Sequence, residues 1–114
     1  MSRDIASLRD MLEAATKIRA FTSGLTREAF RSDEITHLAI IRLIEVIGEA
    51  ARQVSAEFRA SHPDIPWRAI IGMRNELIHA YRHVNLDNVW QVATESVPEL
   101  IAQLEPLIPP EDEA

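Results

Sequence analysis

Apolar residues return every three or four positions along most of this chain, and nowhere do they alternate. Ile5, Leu8, Leu12, Ala15, Ile18 and Phe21 make one such run. Ile35, Leu38, Ile41, Ile44, Ile47, Ala51, Val54 and Phe58 make a second. Val89, Val92, Ala93, Val97, Leu100, Ile101, Leu104 and Leu107 make a third. This spacing gathers side chains on one stripe of a helix and excludes a half-buried strand, which needs a period of two. The expected fold class is all-α, a small up-and-down bundle of four main helices.

Local signals divide the runs. Gly24 suits the end of the first helix. Thr26 to Ser32 reads as a polar connector containing one short helical turn begun by Thr26. Ser32 is the expected N-cap of the second helix, with Asp33 and Glu34 in its first turn, where the helix dipole favours negative charge. That helix should run to the His62-Pro63 break. Asp64 or Ile65 caps a third, with Pro66 near its first position. Asn85 caps a fourth, which Pro98 should kink by removing one hydrogen bond and crowding the preceding turn. With 114 residues there is room for one core. Residues 1–108 are expected to form a single helical domain, followed by an acidic tail over 109–114.

The second run predicts self-association. About 27 residues at 1.5 Å each make a helix of roughly 40 Å, whereas a compact domain of this size has a radius of gyration of about 13 Å. Ile40, Ile41, Leu43, Ile44, Val46 and Ile47 also wrap more than one face. A twofold homodimer is the simplest arrangement that covers them.

Composition narrows the function classes. A net charge of −6 argues against coating nucleic acid through bulk electrostatics. A local site survives that argument, because Arg68, Arg74 and Arg82 face only Glu76 between Trp67 and His83. With no cysteine there are no disulfides and no thiolate metal sites, which fits the expected cytoplasmic location without requiring it. Leu38 to Ala51 carries Arg42, Glu45 and Glu49, so no membrane span is expected.

The chemistry concentrates in Arg74-Asn75-Glu76-Leu77-Ile78-His79-Ala80-Tyr81. Continued as a helix, this stretch sets Arg74 and Tyr81 nearly in line and Asn75 and His79 as neighbours four apart. Arg74 offers a planar fork suited to phosphate, with Glu45, Glu49 and Glu76 as possible structural partners. His79 alone of the group titrates near neutrality. Together they fit metal-independent RNA cleavage: a base takes the ribose 2′-hydroxyl proton, and Arg74 stabilises the charge growing on phosphorus. Binding a nucleotide phosphate without cleaving it, as a non-catalytic subunit of a nucleotidyltransferase complex, uses the same residue types and stays open. His79 and His83 have zinc-binding spacing but lack enough further ligands, so neither metal nor cofactor is expected. Trp67 and Trp90 read as core or interface anchors, and His37 and His62 as surface or turn-capping residues.

The spacing R-x4-H-x-Y, preceded by Ile70-Ile71-Gly72-Met73, resembles the HEPN superfamily and more closely its HepT-like toxin branch. Pro66-Trp67, Asn85 to Trp90, Ile47-Gly48-Glu49-Ala50-Ala51 and Val97-Pro98-Glu99-Leu100 are similar to that branch too, so the resemblance covers roughly residues 35 to 108. It implies a toxin that is an endoribonuclease, with Arg74 and His79 catalytic, Asn75 and Tyr81 supporting them, and the site at a dimer cleft. It also implies a minimal nucleotidyltransferase antitoxin that transfers AMP to Tyr81.

Overall fold

The computed structural model describes residues 2–110. Among them every regular element is helical. Seven α-helices, α1 Ser2–Thr22, α2 Arg27–Ser32, α3 Glu34–Gln53, α4 Ala56–Ser61, α5 Trp67–His79, α6 Leu86–Gln91 and α7 Val97–Leu104, are joined by a π-helical segment Val92–Ser96 and closed by a 3-10 turn Glu105–Leu107. The all-α expectation holds. No helix of the described residues is long and apolar enough to cross a membrane.

Caps set most of the boundaries. Gly24 has φ 74°, the left-handed conformation that glycine adopts without strain, and it turns the chain after α1. The Thr26 side chain accepts from Ala29 N at 3.1 Å and starts α2. The expected N-cap at Ser32 is corrected by one residue. Ser32 ends α2, its hydroxyl donating to Glu28 O, and Asp33 caps α3 by accepting from Thr36 Oγ1 at 2.7 Å and Thr36 N at 3.1 Å. Those bonds, the hydroxyl's first, hold the Asp33 carboxyl below the usual carboxylate range. The third helix starts at Trp67, with Pro66 itself at the cap and no side-chain cap bond. Asn85 caps α6 as expected, accepting from Asn88 N at 3.1 Å.

The long second helix is two helices. α3 stops at Gln53, Val54 is extended at ψ 137°, and Ser55 caps α4 by accepting from Phe58 N. Asp4 fastens this break to the start of α1, accepting from Ser55 N and Ser55 Oγ at 2.8 Å each. Twenty residues make α3 about 30 Å long, not 40 Å, inside a molecule 41 × 29 × 20 Å. Helix length therefore no longer argues for a dimer. Nor does the stretch from Ile40 to Ile47: Ile40, Ile44 and Ile47 are buried in this chain's own core, and Ile41, Leu43 and Val46 pack against it.

That core is built on α3. α1 runs antiparallel along one side, burying Leu8, Met11, Ala15 and Ile18, and α5 lies along the other with Trp67 and Leu77 inward. α7 closes α1 with Leu100, Ile101 and Leu104. Pro98 is accommodated by the wider turn before it, where Val97 N bonds to Val92 O, five residues back. Both tryptophans are anchors: Trp67 Nε1 donates to His62 O at 3.0 Å, and Trp90 packs on buried Phe30. The chain returns to α1 at its end, with Arg9 Nη2 donating to Pro109 O at 2.9 Å. The acidic part of the expected tail, Glu111-Asp112-Glu113, lies outside the described residues.

Candidate active site

α5 meets α3 where α3 has no side chain. A Cβ built on Gly48 would overlap Arg74 Cβ and come within 3.0 Å of Arg74 Cγ and 3.1 Å of Ile70 O. Only glycine permits this approach, and it lays the stem of Arg74 directly on the α3 backbone. The guanidinium emerges beside the next residue, with Arg74 Nη2 lying 3.1 Å from Glu49 Oε1. On its other side Arg74 Nη1 donates to Asn75 Oδ1 at 2.8 Å. Of the three acids open as partners in the sequence, Glu49 is the one used; Glu45 pairs instead with Arg42 at 3.4 Å.

Glu49 is held in turn. Its Oε2 accepts from Gln53 Nε2 at 3.3 Å and faces Arg52 Nη2 at 3.6 Å. The result is a polar chain running from Gln53 and Arg52 through Glu49 and Arg74 to Asn75, and Gln53, Glu49 and Arg74 line an open groove together with Asp10, Arg42 and Ile78. The Arg74 side chain keeps 23% of its exposure and Glu49 40%, so solvent still reaches the guanidinium. A pair this accessible contributes little to stability. Its consequence is orientation.

The other site residues lie differently from the helical extrapolation. Asn75 is bonded to Arg74, not to His79. His79 is the last residue of α5, exposed, with no side-chain hydrogen bond among the described residues. Five positions from Arg74 set it about 140° round the helix axis, on the outward face and not in the groove. Tyr81 is beyond the helix, because Ala80 is the C-cap and the chain turns there. The residue is 70% exposed, with the Arg82 guanidinium 5.8 Å over its ring and Arg82 Nε 3.4 Å from its oxygen. Arg74 and Asn75 are thus assembled within one chain, and His79 and Tyr81 project from the same end of α5 into solvent.

Large apolar side chains surround that end. Ile35 is 82% exposed, Leu38 55% and Ile78 39%, with Phe21 exposed at the end of α1. α1 and α5 both run antiparallel to α3, as Asp4 beside Ser55 and Ile78 beside Arg42 require, so these residues share one end of the molecule. Sequence periodicity assigned Ile35 and Leu38 to the core stripe. They lie on the same α3 face as Arg42, Glu45 and Glu49, outside the core.

Gly48 is the residue that sequence reasoning left without a role. The available signal was a lone glycine inside an otherwise strong helical pattern, and Gly72 carries the same signal without any close approach.

With this geometry, similarity to known proteins becomes informative. The profile of the family described as Ribonuclease HepT-like matches residues 11–107, which include every residue of the groove wall and of the α5 motif but Asp10. A Thermococcus cleftensis protein named "Probable ribonuclease HepT" is 40% identical over 100 residues, covering 88% of this chain and 91% of its own length. A Methanocaldococcus jannaschii protein named "Putative RNase" is 36% identical over 104 residues, covering 90% and 95%. One with the same designation from Caldanaerobacter subterraneus is 38% identical over 85 residues, covering 75% and 76%. No solved structure gives a significant match. A match across nearly all of the folded region, in company with these relatives, means that the chain belongs to the Ribonuclease HepT-like family.

Proposed function

We propose that this protein is a metal-independent endoribonuclease, the toxin of a toxin–antitoxin pair, acting in the cytoplasm as a homodimer. The observation that carries the reading is the Arg74 guanidinium, held on two sides and still open to solvent, with an exposed imidazole, unbonded among the described residues, at the end of the same helix. His79 takes the proton of a ribose 2′-hydroxyl, and the 2′-oxygen attacks the adjacent phosphorus. Arg74 stabilises the negative charge of the phosphorane. Protonated His79 returns its proton to the departing 5′-oxygen. The products are a 2′,3′-cyclic phosphate and a 5′-hydroxyl, and no metal takes part. Incubating the purified protein with labelled RNA in the presence of chelator tests this: cyclic phosphate ends are expected, and strict dependence on added metal would count against the mechanism.

The dimer now rests on a different surface from the one expected. Ile35, Leu38, Ile78 and Phe21 form an apolar rim beside the groove that nothing among the described residues covers. Since Arg74 and His79 point to different sides of α5, a twofold partner at this end would close the site around a phosphate. Leu38→Glu should convert the dimer to a monomer in light scattering, because a charge stranded in an apolar interface costs several kcal/mol. Cleavage should fall about tenfold or more in parallel, as expected of a site that loses one wall. A wild-type protein of monomer mass at micromolar concentration sinks the dimer.

Control of such a toxin falls to a nucleotidyltransferase antitoxin, and Tyr81 is the proposed acceptor. Its exposure, in a turn beyond the helix end, supports access by another protein's active site. The phenol oxygen displaces pyrophosphate from ATP, loses its proton and carries AMP, whose phosphate then competes near Arg74 and His79. Intact-mass analysis after co-expression with a minimal nucleotidyltransferase of this kind should reveal additions in units of AMP that vanish in Tyr81→Phe. Additions that survive this substitution remove Tyr81 from the role.

A further inference from the structure

We propose that Glu49 is a positioning residue of this site, one that fixes the Arg74 guanidinium for the phosphate while weakening the charge that attracts it. The proposal rests on the ribonuclease reading. An arginine side chain ordinarily loses much rotamer freedom when it must meet a transition state. Here three anchors restrict it before substrate arrives. Its stem lies against Gly48, Nη2 against Glu49 Oε1 at 3.1 Å and Nη1 against Asn75 Oδ1 at 2.8 Å. The carboxylate is itself steadied through its second oxygen by Gln53 and Arg52, so it cannot simply swing away with the arginine. A guanidinium has five N–H donors, and the two contacts leave donors for a phosphate.

The same contact has an electrostatic cost for binding. A carboxylate this close cancels much of the Arg74 charge seen by an approaching RNA. Ground-state affinity is lowered, while a donor aimed in advance still acts on the charge that develops during reaction. A merely structural ion pair would behave otherwise: its loss would lower stability and leave binding and rate to change together or not at all.

Glu49→Gln keeps the shape and removes the charge, and with the wild-type side chain 40% exposed it should fold. Two probes separate the effects, a mixed-sequence RNA oligonucleotide and its fully 2′-O-methylated counterpart, which lacks the attacking hydroxyl. Glu49→Gln should bind the methylated RNA about threefold tighter, the size expected of a solvent-screened charge. It should cleave the unmodified RNA with kcat lowered roughly tenfold, as a loosened guanidinium implies. Glu49→Asp retains the charge on a shorter arm, so it should lose rate without gaining affinity. Unchanged kcat in Glu49→Gln, or binding that is unchanged or weaker, overturns the proposal. A wild-type protein that binds the methylated RNA and cleaves nothing overturns the ribonuclease reading and the rate half with it. The affinity half is then decided by the binding data alone.

Discussion

His79→Ala is expected to lower RNA cleavage by about a thousandfold, within the range that a general base contributes. Arg74→Ala should lower it by a similar factor, roughly that of removing one donor from a developing oxyanion. Neither substitution should unfold the chain. His79 is exposed and unbonded among the described residues, and the Arg74–Glu49 pair is solvent-accessible. Far-UV circular dichroism and light scattering should therefore match the wild type while cleavage vanishes. Arg74→Lys is a sharper probe, because it keeps the charge and loses the planar fork that contacts Glu49 and Asn75 together. It should remain impaired by about tenfold or more. Full cleavage by His79→Ala would remove the imidazole from the chemistry and leave a phosphate-binding strip. That outcome would favour the alternative of a non-catalytic nucleotide-binding subunit.

What was legible in the sequence was what is local. Periods of three and four residues gave the helical class, and Thr26, Gly24 and Asn85 act within a turn of their own positions. The break at Val54 and Ser55 escaped because Ala51, Val54 and Phe58 keep the three- and four-residue spacing in the sequence across it. Ile35 and Leu38 were assigned to the core for a related reason. Periodicity identifies an apolar face without saying whether this chain or another covers it. The motif Arg74, Asn75, His79 and Tyr81 was readable as a set, but its geometry was not. The helix ends at His79, so Tyr81 departs from the line drawn through Arg74. The tie from Arg74 to Glu49 joins positions 25 residues apart, through a pairing of α3 with α5 that no local pattern encodes.

Gly48 and Gly72 are expected to respond to alanine with opposite signs. Both are glycines inside helices, where alanine is intrinsically better by about 1 kcal/mol. At Gly72, exposed on α5, an added Cβ meets nothing within 4 Å, so Gly72→Ala should stabilise the protein by about 0.5–1 kcal/mol. At Gly48 the added atom would overlap Arg74 Cβ and crowd Ile70 O, and no rotamer change can move either of those aside. The helices must separate instead. Overpacking of this kind costs about 1–3 kcal/mol and sometimes more, which outweighs the propensity gain. With neither struck atom able to move aside the cost lies at the upper end, leaving about 1–2 kcal/mol net, so Gly48→Ala should lower the melting temperature by roughly 4–10 °C, at the several degrees per kcal/mol usual for domains near this size. Arg74→Ala in the same background should not restore it, because alanine retains the Cβ that is struck. Separation of α5 from α3 also carries the guanidinium away from Glu49, so cleavage should fall by about tenfold or more at temperatures where the variant is still folded. Thermal melts of the two alanine variants decide the matter. A Gly48→Ala protein as stable as the wild type would mean that α3 and α5 do not approach this closely, and the placement of Arg74 against Glu49 would fall with that contact.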